Sequence, residues 1–254
     1  MMSLYKICFS PTGGTEKAAR ILAGALPGEI EAVDLTDGET AFADIALSAG
    51  DLAVIAVPSY GGRVPQPAIE RLSAIRGNGA GAILLCVYGN RAYEDTLLEL
   101  RDTATQSGFR VIAAVAAIAE HSIARQFATG RPDDRDAAQL RAFAGKIQAK
   151  LDAGDLAEPE IPGDRPYKKG SGTEMVPKPT GSCTECGLCA GACPVQAIDH
   201  ANPAKVDAKA CISCMRCVLV CPHGAREVNG IILAAADAML KKACYERKEP
   251  ELHL

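Results

Sequence analysis

The chain has 254 residues, 48% of them apolar and 23% charged, with a formal net charge of −4 and a pI near 5.7. This acidic balance argues against a nucleic-acid partner, because proteins that bind the phosphate backbone carry a basic surface. No apolar run reaches the roughly 18 residues of a membrane span and the amino terminus lacks a signal-peptide cleavage pattern, so we expect a cytoplasmic globular protein without a membrane span.

Short apolar runs alternate with helical patterns over roughly the first 150 residues, a length typical of one domain. Several runs are almost continuously apolar, which is typical of parallel strands covered on both faces. The pattern predicts strands at 4–9, 29–35, 51–58, 80–88 and 109–119. Helices are predicted at 15–25, 41–49, 67–75, 93–106 and 132–151. These strand-helix units predict a doubly wound α/β fold with a five-stranded parallel sheet.

The composition changes after this predicted domain, which covers residues 1–153. Residues 154–180 are rich in proline, glycine and charge without apolar periodicity, which predicts an extended linker. A small cysteine-rich domain is predicted over 181–230. The last segment, 231–254, begins with an apolar helix whose basic end at Lys241 suits the carboxyl end of a helix dipole.

Eleven cysteines are many for a reducing compartment, where disulfides are rare, and eight of them form an internal repeat. Each copy reads C-x2-C-x2-C-x3-C-P, and the second copy follows the first by 28 residues. In this spacing three cysteines of one run and the fourth of the other run bind one [4Fe-4S] cluster. The spacing predicts one cluster on Cys183, Cys186, Cys189 and Cys221, and another on Cys193, Cys211, Cys214 and Cys217.

Zinc and disulfides are the alternatives for the repeated cysteines. Structural zinc sites usually combine two pairs of cysteines for each metal ion, unlike a repeated quartet followed by proline. Disulfides do not suit the expected compartment. The three other cysteines, Cys8, Cys86 and Cys244, fall in predicted strands and in the last helix, where we expect small core residues.

The stretch SPTGGT joins the first predicted strand to the first predicted helix. Unpaired N–H groups at a helix start, together with the helix dipole, favour an anion. The stretch lacks the Gly-Lys-Ser/Thr ending of a triphosphate site and the G-x-G-x-x-G of a dinucleotide site, so it suits the single phosphate of FMN. A plain turn and helix cap is the alternative. The candidate ligands are Ser10, Thr12, Gly13, Gly14 and Thr15.

Two loops rich in glycine and tyrosine, 58–65 and 88–95, follow the third and fourth predicted strands. In an open α/β sheet, ligands bind beyond the carboxyl ends of the strands. The tyrosines are therefore candidates to stack on a flavin ring, with their neighbours supplying hydrogen bonds. Packing at the surface is the alternative for each tyrosine. The candidates are Ser59, Tyr60, Gly61, Gly62, Gly89, Asn90 and Tyr93.

With these loops, roughly the first 150 residues resemble a flavodoxin, in which an S/T-x-T-G-x-T loop holds the phosphate of FMN. Residues 181–230 resemble a bacterial ferredoxin with two [4Fe-4S] clusters, a small α+β fold. The order of the two parts resembles the flavodoxin-ferredoxin fusion proteins of anaerobic bacteria and archaea, the EFR-type ferredoxins. One departure is the absence of tryptophan, since many flavodoxins flank the flavin with Trp and Tyr.

The resemblance implies an electron-transfer protein that uses FMN and two [4Fe-4S] clusters to link two-electron with one-electron carriers. One alternative is a flavin-dependent reductase of a small organic or metal-centre substrate, fed by the clusters; another is an iron-sulphur sensor or assembly module. We find no paired acid and base and no nucleophilic constellation, so an electron carrier is expected rather than a substrate-specific enzyme. Redox proteins or enzymes are the expected partners, with a homodimer left open.

Overall fold

Five parallel strands form the central sheet of a computed structural model that describes residues 3–169 and 175–254. Their order is β2-β1-β3-β4-β5. This is the flavodoxin-like order, in which ligands bind where the winding reverses between β1 and β3. The predicted doubly wound fold is therefore confirmed. The strands are β1 (Leu4–Cys8), β2 (Ile30–Asp34), β3 (Leu52–Pro58), β4 (Gly81–Tyr88) and β5 (Arg110–Ile118).

Helices cover both faces of this sheet. One hydrophobic core lies between the sheet and helices α1 and α4, and a second lies between the opposite face and helices α2 and α3. Burial from both sides explains why β3 and β4 are almost continuously apolar and are buried at every residue. The helices are α1 (Gly14–Ala23), α2 (Gln66–Ala74), α3 (Thr96–Gln106) and α4 (Asp134–Asp152).

The helix predicted over 41–49 is wrong, because only a single 3-10 turn forms, at Phe42–Asp44. After this turn the chain is extended and bonds to the segment that follows α2. The N–H of Leu47 donates to the carbonyl of Arg76, and the N–H of Arg76 donates to the carbonyl of Ile45. These contacts with a neighbouring segment outweigh the local preference for helix.

The cysteine-rich part of the chain has little regular structure. Two single-turn helices, α5 (Leu188–Gly191) and α6 (Arg216–Leu219), occupy the same position in the two copies of the repeat. A short antiparallel pair, β6 (Lys178–Pro179) with β7 (Arg226–Glu227), joins the end of the linker to the end of the second copy. This small mixed fold is consistent with the α+β domain that the resemblance implies.

The chain returns to the central sheet at its carboxyl end. Helix α7 (Gly230–Ala243) is followed by β8 (Glu251–His253), which pairs antiparallel with residues 114–116 of β5. The sheet therefore has a sixth strand, which no sequence pattern predicts because three residues cannot show an apolar alternation. Within the described ranges, no helix is both long and apolar enough to cross a membrane.

The linker lies along helix α3. The carboxylate of Asp95 accepts hydrogen bonds from the backbone N–H groups of Asp164 and Lys168, at 2.9 and 2.6 Å. Further along α3, the carboxylate of Asp102 binds the side chains of Arg165 and Tyr167. Asp95 and Asp102 therefore hold the described residues 164–168 of the linker against one helix, while the bounds of the linker stay a prediction.

Candidate functional site

The two copies of the cysteine repeat have the same backbone conformation. Left-handed φ angles occur before and after the second cysteine of each copy, and again three positions after the fourth. This conformation costs free energy for residues other than glycine. Its recurrence at corresponding positions therefore marks one loop geometry used twice. The residues are Glu185, Gly187 and Gln196 in the first copy and Ser213, Met215 and Gly224 in the second.

This geometry brings the eight thiols into two sets of four, each around its own cavity. Each set takes three cysteines from one copy and the fourth from the other, which is the exchange that the spacing predicts. The first thiol set, around one cavity, consists of Cys183, Cys186, Cys189 and Cys221. The second thiol set, around the other cavity, consists of Cys193, Cys211, Cys214 and Cys217.

The thiols are spread around these cavities rather than gathered at one point. Among the described residues, no group of three or more His, Cys, Asp or Glu side chains is close enough to hold a metal ion. Structural zinc needs four ligands that all reach one ion, so this arrangement disfavours the zinc alternative. Backbone donors also point at the sulphurs: the N–H of Ala197 donates to Cys193 Sγ at 3.3 Å, and that of Ala225 to Cys221 Sγ at 3.2 Å. Hydrogen bonds to sulphur are typical of iron-sulphur sites, so the residues fit a multinuclear cluster.

The second thiol set is strongly desolvated. Burial raises the pKa of the Cys214 thiol to about 12 and that of Cys217 to about 11, although the nearby Arg226 guanidinium opposes the shift at Cys217. The thiolate, and not the thiol, is the metal ligand. Binding of iron to these side chains would therefore release protons, and would weaken as the pH falls.

Ser10 shapes the loop between β1 and α1. Its side-chain Oγ accepts a hydrogen bond from the backbone N–H of Glu16 at 2.9 Å, and its own N–H donates to Thr36 Oγ1 at 2.7 Å. The hydroxyl therefore bonds to the first turn of α1, and its hydrogen is still available to a ligand.

The rest of this loop leaves backbone donors unused. Gly13, with φ of 84°, is the N-cap of α1 and has no side-chain cap. In the part of the chain that the structure describes, the N–H groups of Thr12, Gly14 and Thr15 have no hydrogen-bond acceptor. A helix start with open donors is a site for an anion such as phosphate. The loop accordingly fits the phosphate of FMN.

The loop after β3 is tightly folded against the loop after β4. At Gly62, where φ is 86°, an added Cβ would lie 2.9 Å from Glu94 Cβ, so any other residue would be strained and would displace Glu94. The neighbouring Ser59 places its Oγ 2.8 Å from Thr96 Oγ1, at the start of α3. Gly61 also has a left-handed φ, of 63°. These contacts hold the two candidate flavin loops side by side at the carboxyl edge of the sheet.

Tyr60, in the loop after β3, interacts electrostatically with the second thiol set. Burial raises the pKa of its hydroxyl well above the usual value, and the next largest cause is the charge of Cys214. This interaction links a candidate to stack on a flavin with a candidate cluster ligand. The two residues belong to different predicted domains, and no local sequence pattern indicates the interaction.

Asn90 is engaged by the carboxyl-terminal tail. Its Nδ2 donates to the carbonyls of Cys244 and Glu246, both at 2.9 Å, and its Oδ1 accepts from the backbone N–H of Lys248 at 3.1 Å. The amide side chain is therefore occupied by protein groups. A role of Asn90 in flavin binding remains a prediction for its backbone only.

Tyr93 and Gly89 are also in close contact with other parts of the chain. The Tyr93 hydroxyl donates to Glu251 Oε2 at 2.6 Å, and its ring packs on Tyr88 with centroids 5.3 Å apart. An added Cβ at Gly89 would lie 2.5 Å from His121 Cδ2. The stacking role of Tyr93 therefore stays a prediction, and Gly89 is explained by the close approach of His121.

Comparison with protein families decides the nature of the cysteine-rich part. Residues 172–226 match the family described as a 4Fe-4S dicluster domain. This part of the chain is a ferredoxin-like 4Fe-4S domain, called the dicluster domain below after the family that it matches. A comparison with curated proteins finds no match. Together with the strand order of the sheet, the family match makes the chain a flavodoxin-like domain joined to a dicluster domain, and supports a general role in electron transfer.

Solved structures similar to the flavodoxin-like domain include two flavodoxins. The flavodoxin of Streptococcus pneumoniae TIGR4 is 22% identical, covering 58% of this chain and 99% of its own, with a TM-score of 0.41. Flavodoxin 1 of Bacillus cereus is 17% identical, covering 58% and 97%, with a TM-score of 0.41. Rubredoxin oxygen:oxidoreductase of Desulfovibrio gigas is 18% identical with a TM-score of 0.43; the match covers 61% of this chain and only 37% of that protein. The assignment of the fold rests on the strand order, not on these scores.

The dicluster domain contacts the flavodoxin-like domain through residues next to the second thiol set. Nη1 of Arg216, which precedes Cys217, donates to the carbonyl of Pro11 in the candidate phosphate loop at 3.1 Å. Arg71 of α2 donates to the carbonyl of Pro194, and Ile212 packs on the hydrophobic core beneath α2 and α3. The loop of the first thiol set instead faces solvent, since Cys186 is exposed and Leu188 is 54% exposed.

Proposed function

We propose that this protein carries electrons between FMN and two [4Fe-4S] clusters, and so links two-electron with one-electron carriers. The observation that carries the proposal is the contact between the second thiol set and the candidate flavin loops. Nη1 of Arg216, in the ligand loop of the second thiol set, donates to the carbonyl of Pro11 at 3.1 Å, and Cys214 is one of the groups that raise the pKa of Tyr60. A cluster held by the second thiol set and a flavin held by the candidate flavin loops would therefore be neighbours across the interface between the two domains.

The cysteine residues would hold the clusters as two separate one-electron centres. Each thiol set would ligate one cluster, with the crossed ligands Cys193 and Cys221 tying the two copies of the repeat together. The N–H groups of Ala197 and Ala225, which already donate to the crossed sulphurs, would stabilise the thiolates in the bound state.

The loop residues would hold FMN by its phosphate. The open N–H groups of Thr12, Gly14 and Thr15 and the hydroxyl of Ser10 would donate to the phosphate oxygens, and the α1 dipole would add to this attraction. FMN supplies the ability to exchange electrons singly or in pairs. The glycine-rich loops after β3 and β4, with Tyr60 in the first of them, would position its ring.

The three centres would lie in a fixed order. The second cluster would be nearest the flavin, because its ligand loop carries Arg216, which bonds to Pro11, and Ile212, which packs on the core of the flavodoxin-like domain. The first cluster would be outermost, because Cys186 and Leu188 face solvent. An external redox protein or enzyme would then exchange electrons at the first cluster, and a reducing cytoplasm would suit the exposed thiols.

Anaerobic preparation of the full chain tests this proposal. We expect a flavin spectrum together with about eight iron atoms per chain, four for each cubane. A protein without flavin bands, or with iron well below this number, would contradict it. Rapid flavin oxidation by a small organic acceptor at catalytic rates would favour the reductase alternative instead.

A charge substitution tests the phosphate loop by itself. Thr12→Asp places a carboxylate where the phosphate would bind, so FMN should be lost through repulsion and steric block while iron content is unchanged. Thr105→Asp, on an exposed position of α3, is the matched control and should retain FMN. Full flavin content in the Thr12 variant would refute the phosphate assignment.

A further inference from the structure

Arg226 is a buried cation without a counter-ion among the described residues. It is only 3% exposed, at the start of β7. Nη1 donates to the carbonyl of Pro177 at 3.2 Å, and Nη2 donates to the carbonyl of Pro203. None of the salt bridges of the described residues includes Arg226, and its Nε is buried without a hydrogen-bond acceptor.

This arginine lies between the two cavities. It lines the cavity of the first thiol set and also that of the second thiol set. Within the second set its guanidinium is close enough to Cys217 to affect the ionisation of that thiol. Of the charged side chains of the described residues, Arg226 is the one that borders both cavities and is buried.

The two copies of the repeat differ at this position. Counting 28 residues back from Arg226 gives Ile198, which is buried to the same degree, at 3% exposure, in the apolar cluster with Cys189 and Ala190. A hydrophobic residue therefore satisfies the fold at the corresponding place. Arg226 also donates to the carbonyls of Pro177 and Pro203, but neutral donors could make such bonds, so its positive charge calls for a further explanation.

An unpaired guanidinium in the interior is costly, because removal of a charge from water is offset only by an opposite charge with good hydrogen bonds. Carbonyl oxygens satisfy two of its nitrogens but do not neutralise it. A [4Fe-4S] core with four thiolate ligands is an anion with sulphur acceptors. Two such anions, one on each side, would supply both the missing charge and an acceptor for Nε.

We propose that Arg226 is the shared counter-ion of both cluster sites and makes both clusters easier to reduce. The inference rests on the proposed function, since it presupposes the two clusters. Reduction adds one negative charge to a cluster, and a fixed cation beside it stabilises the reduced form more than the oxidised form. Removal of the cation therefore lowers both reduction potentials.

Redox titration of the anaerobic holoprotein, followed by the electron paramagnetic resonance of the reduced clusters, tests this role. For Arg226→Gln we expect the reduction equilibrium of each cluster to become at least tenfold less favourable, which is 59 mV for one electron. Arg226→Lys keeps the charge and should shift each equilibrium less than threefold. Lys209→Gln removes an exposed charge from the same domain and should leave both potentials unchanged.

The outcomes separate the two proposals. Iron well below about eight atoms per chain in the wild type contradicts the proposed function itself. Wild-type iron with unchanged potentials in Arg226→Gln contradicts only the role of Arg226, as does a shift confined to one cluster. If Arg226→Gln binds no iron, the iron content of Arg226→Lys tests the role of the charge. Clusters retained in Arg226→Lys support that role, and loss of iron from both variants contradicts it.

Discussion

Replacement of Asn90 by glycine should release the carboxyl-terminal tail from the flavodoxin-like domain. Asn90 has a left-handed φ of 64°, so glycine keeps the backbone conformation and removes only the side chain. The substitution deletes the bonds to Cys244, Glu246 and Lys248, at 2.9, 2.9 and 3.1 Å. Nη1 of Arg131 also donates to Asn90 Oδ1, but at 3.4 Å this bond is long and contributes little free energy.

The expected magnitude follows from these three bonds. At about 1 kcal/mol for each buried hydrogen bond, docking of the tail loses about 3 kcal/mol. This corresponds to an increase of about 100-fold in the population of the open tail. If the loss also reduces global stability, the melting temperature falls by about 6–12 °C for a chain of this size.

Hydrogen exchange measured by mass spectrometry tests this prediction on the segment from Cys244 to His253. Exchange of its amides, and of the β5 amides that pair with β8, should be about 100-fold faster in Asn90→Gly. The matched control is Asn78→Gly, since Asn78 is also left-handed, with φ of 46°, but makes a single bond to the carbonyl of Leu47. Equal exchange of the tail in the two variants would refute the reasoning. Flavin affinity in Asn90→Gly reports separately on the predicted role of this residue at the flavin.

Three further predictions concern the two cofactor sites. Cys193→Ala should remove the cluster of the second thiol set and leave about four iron atoms per chain, and loss of the first cluster alone would contradict the crossed ligation. Arg216→Gln should raise the dissociation constant of FMN about fivefold, because it deletes the bond of 3.1 Å that holds the Pro11 carbonyl of the phosphate loop and such a bond is worth about 1 kcal/mol; an unchanged dissociation constant in fluorescence titrations would contradict this coupling. Gly62→Ala should lower the melting temperature by several degrees, since its Cβ would lie 2.9 Å from Glu94 Cβ at a left-handed φ that costs about 1–2 kcal/mol; an unchanged melting curve would contradict this steric argument.

The central sheet follows from local patterns. β3 and β4 lie within one residue of the runs 51–58 and 80–88, because strands buried on both faces must be apolar along their whole length. The grouping of the thiols also follows from spacing, since the short runs between cysteines leave few arrangements of the loop. These features depend on residues that are near one another in the sequence.

The remaining features depend on contacts between distant segments. The turn at Phe42–Asp44 replaces a predicted helix because Leu47 pairs with the chain after α2. The bonds of Asn90 to the tail join residues more than 150 positions apart, and no local pattern encodes them. The sequence does contain an indication that Arg226 is unusual. When the two copies of the repeat are aligned, a charged residue, Arg226, corresponds to the apolar Ile198 of the first copy.

Because β8 pairs with β5, the chain leaves the flavodoxin-like domain, forms the dicluster domain and then returns to the flavodoxin-like domain. The two domains are therefore connected at both ends of the dicluster domain and not by a single linker. The dicluster domain is held at one end by the linker along α3 and at the other by the tail on β5. A module fastened at both ends has a high effective concentration at its neighbour, which dilution does not change. Electron exchange between the two domains would accordingly be unimolecular, with a rate independent of protein concentration.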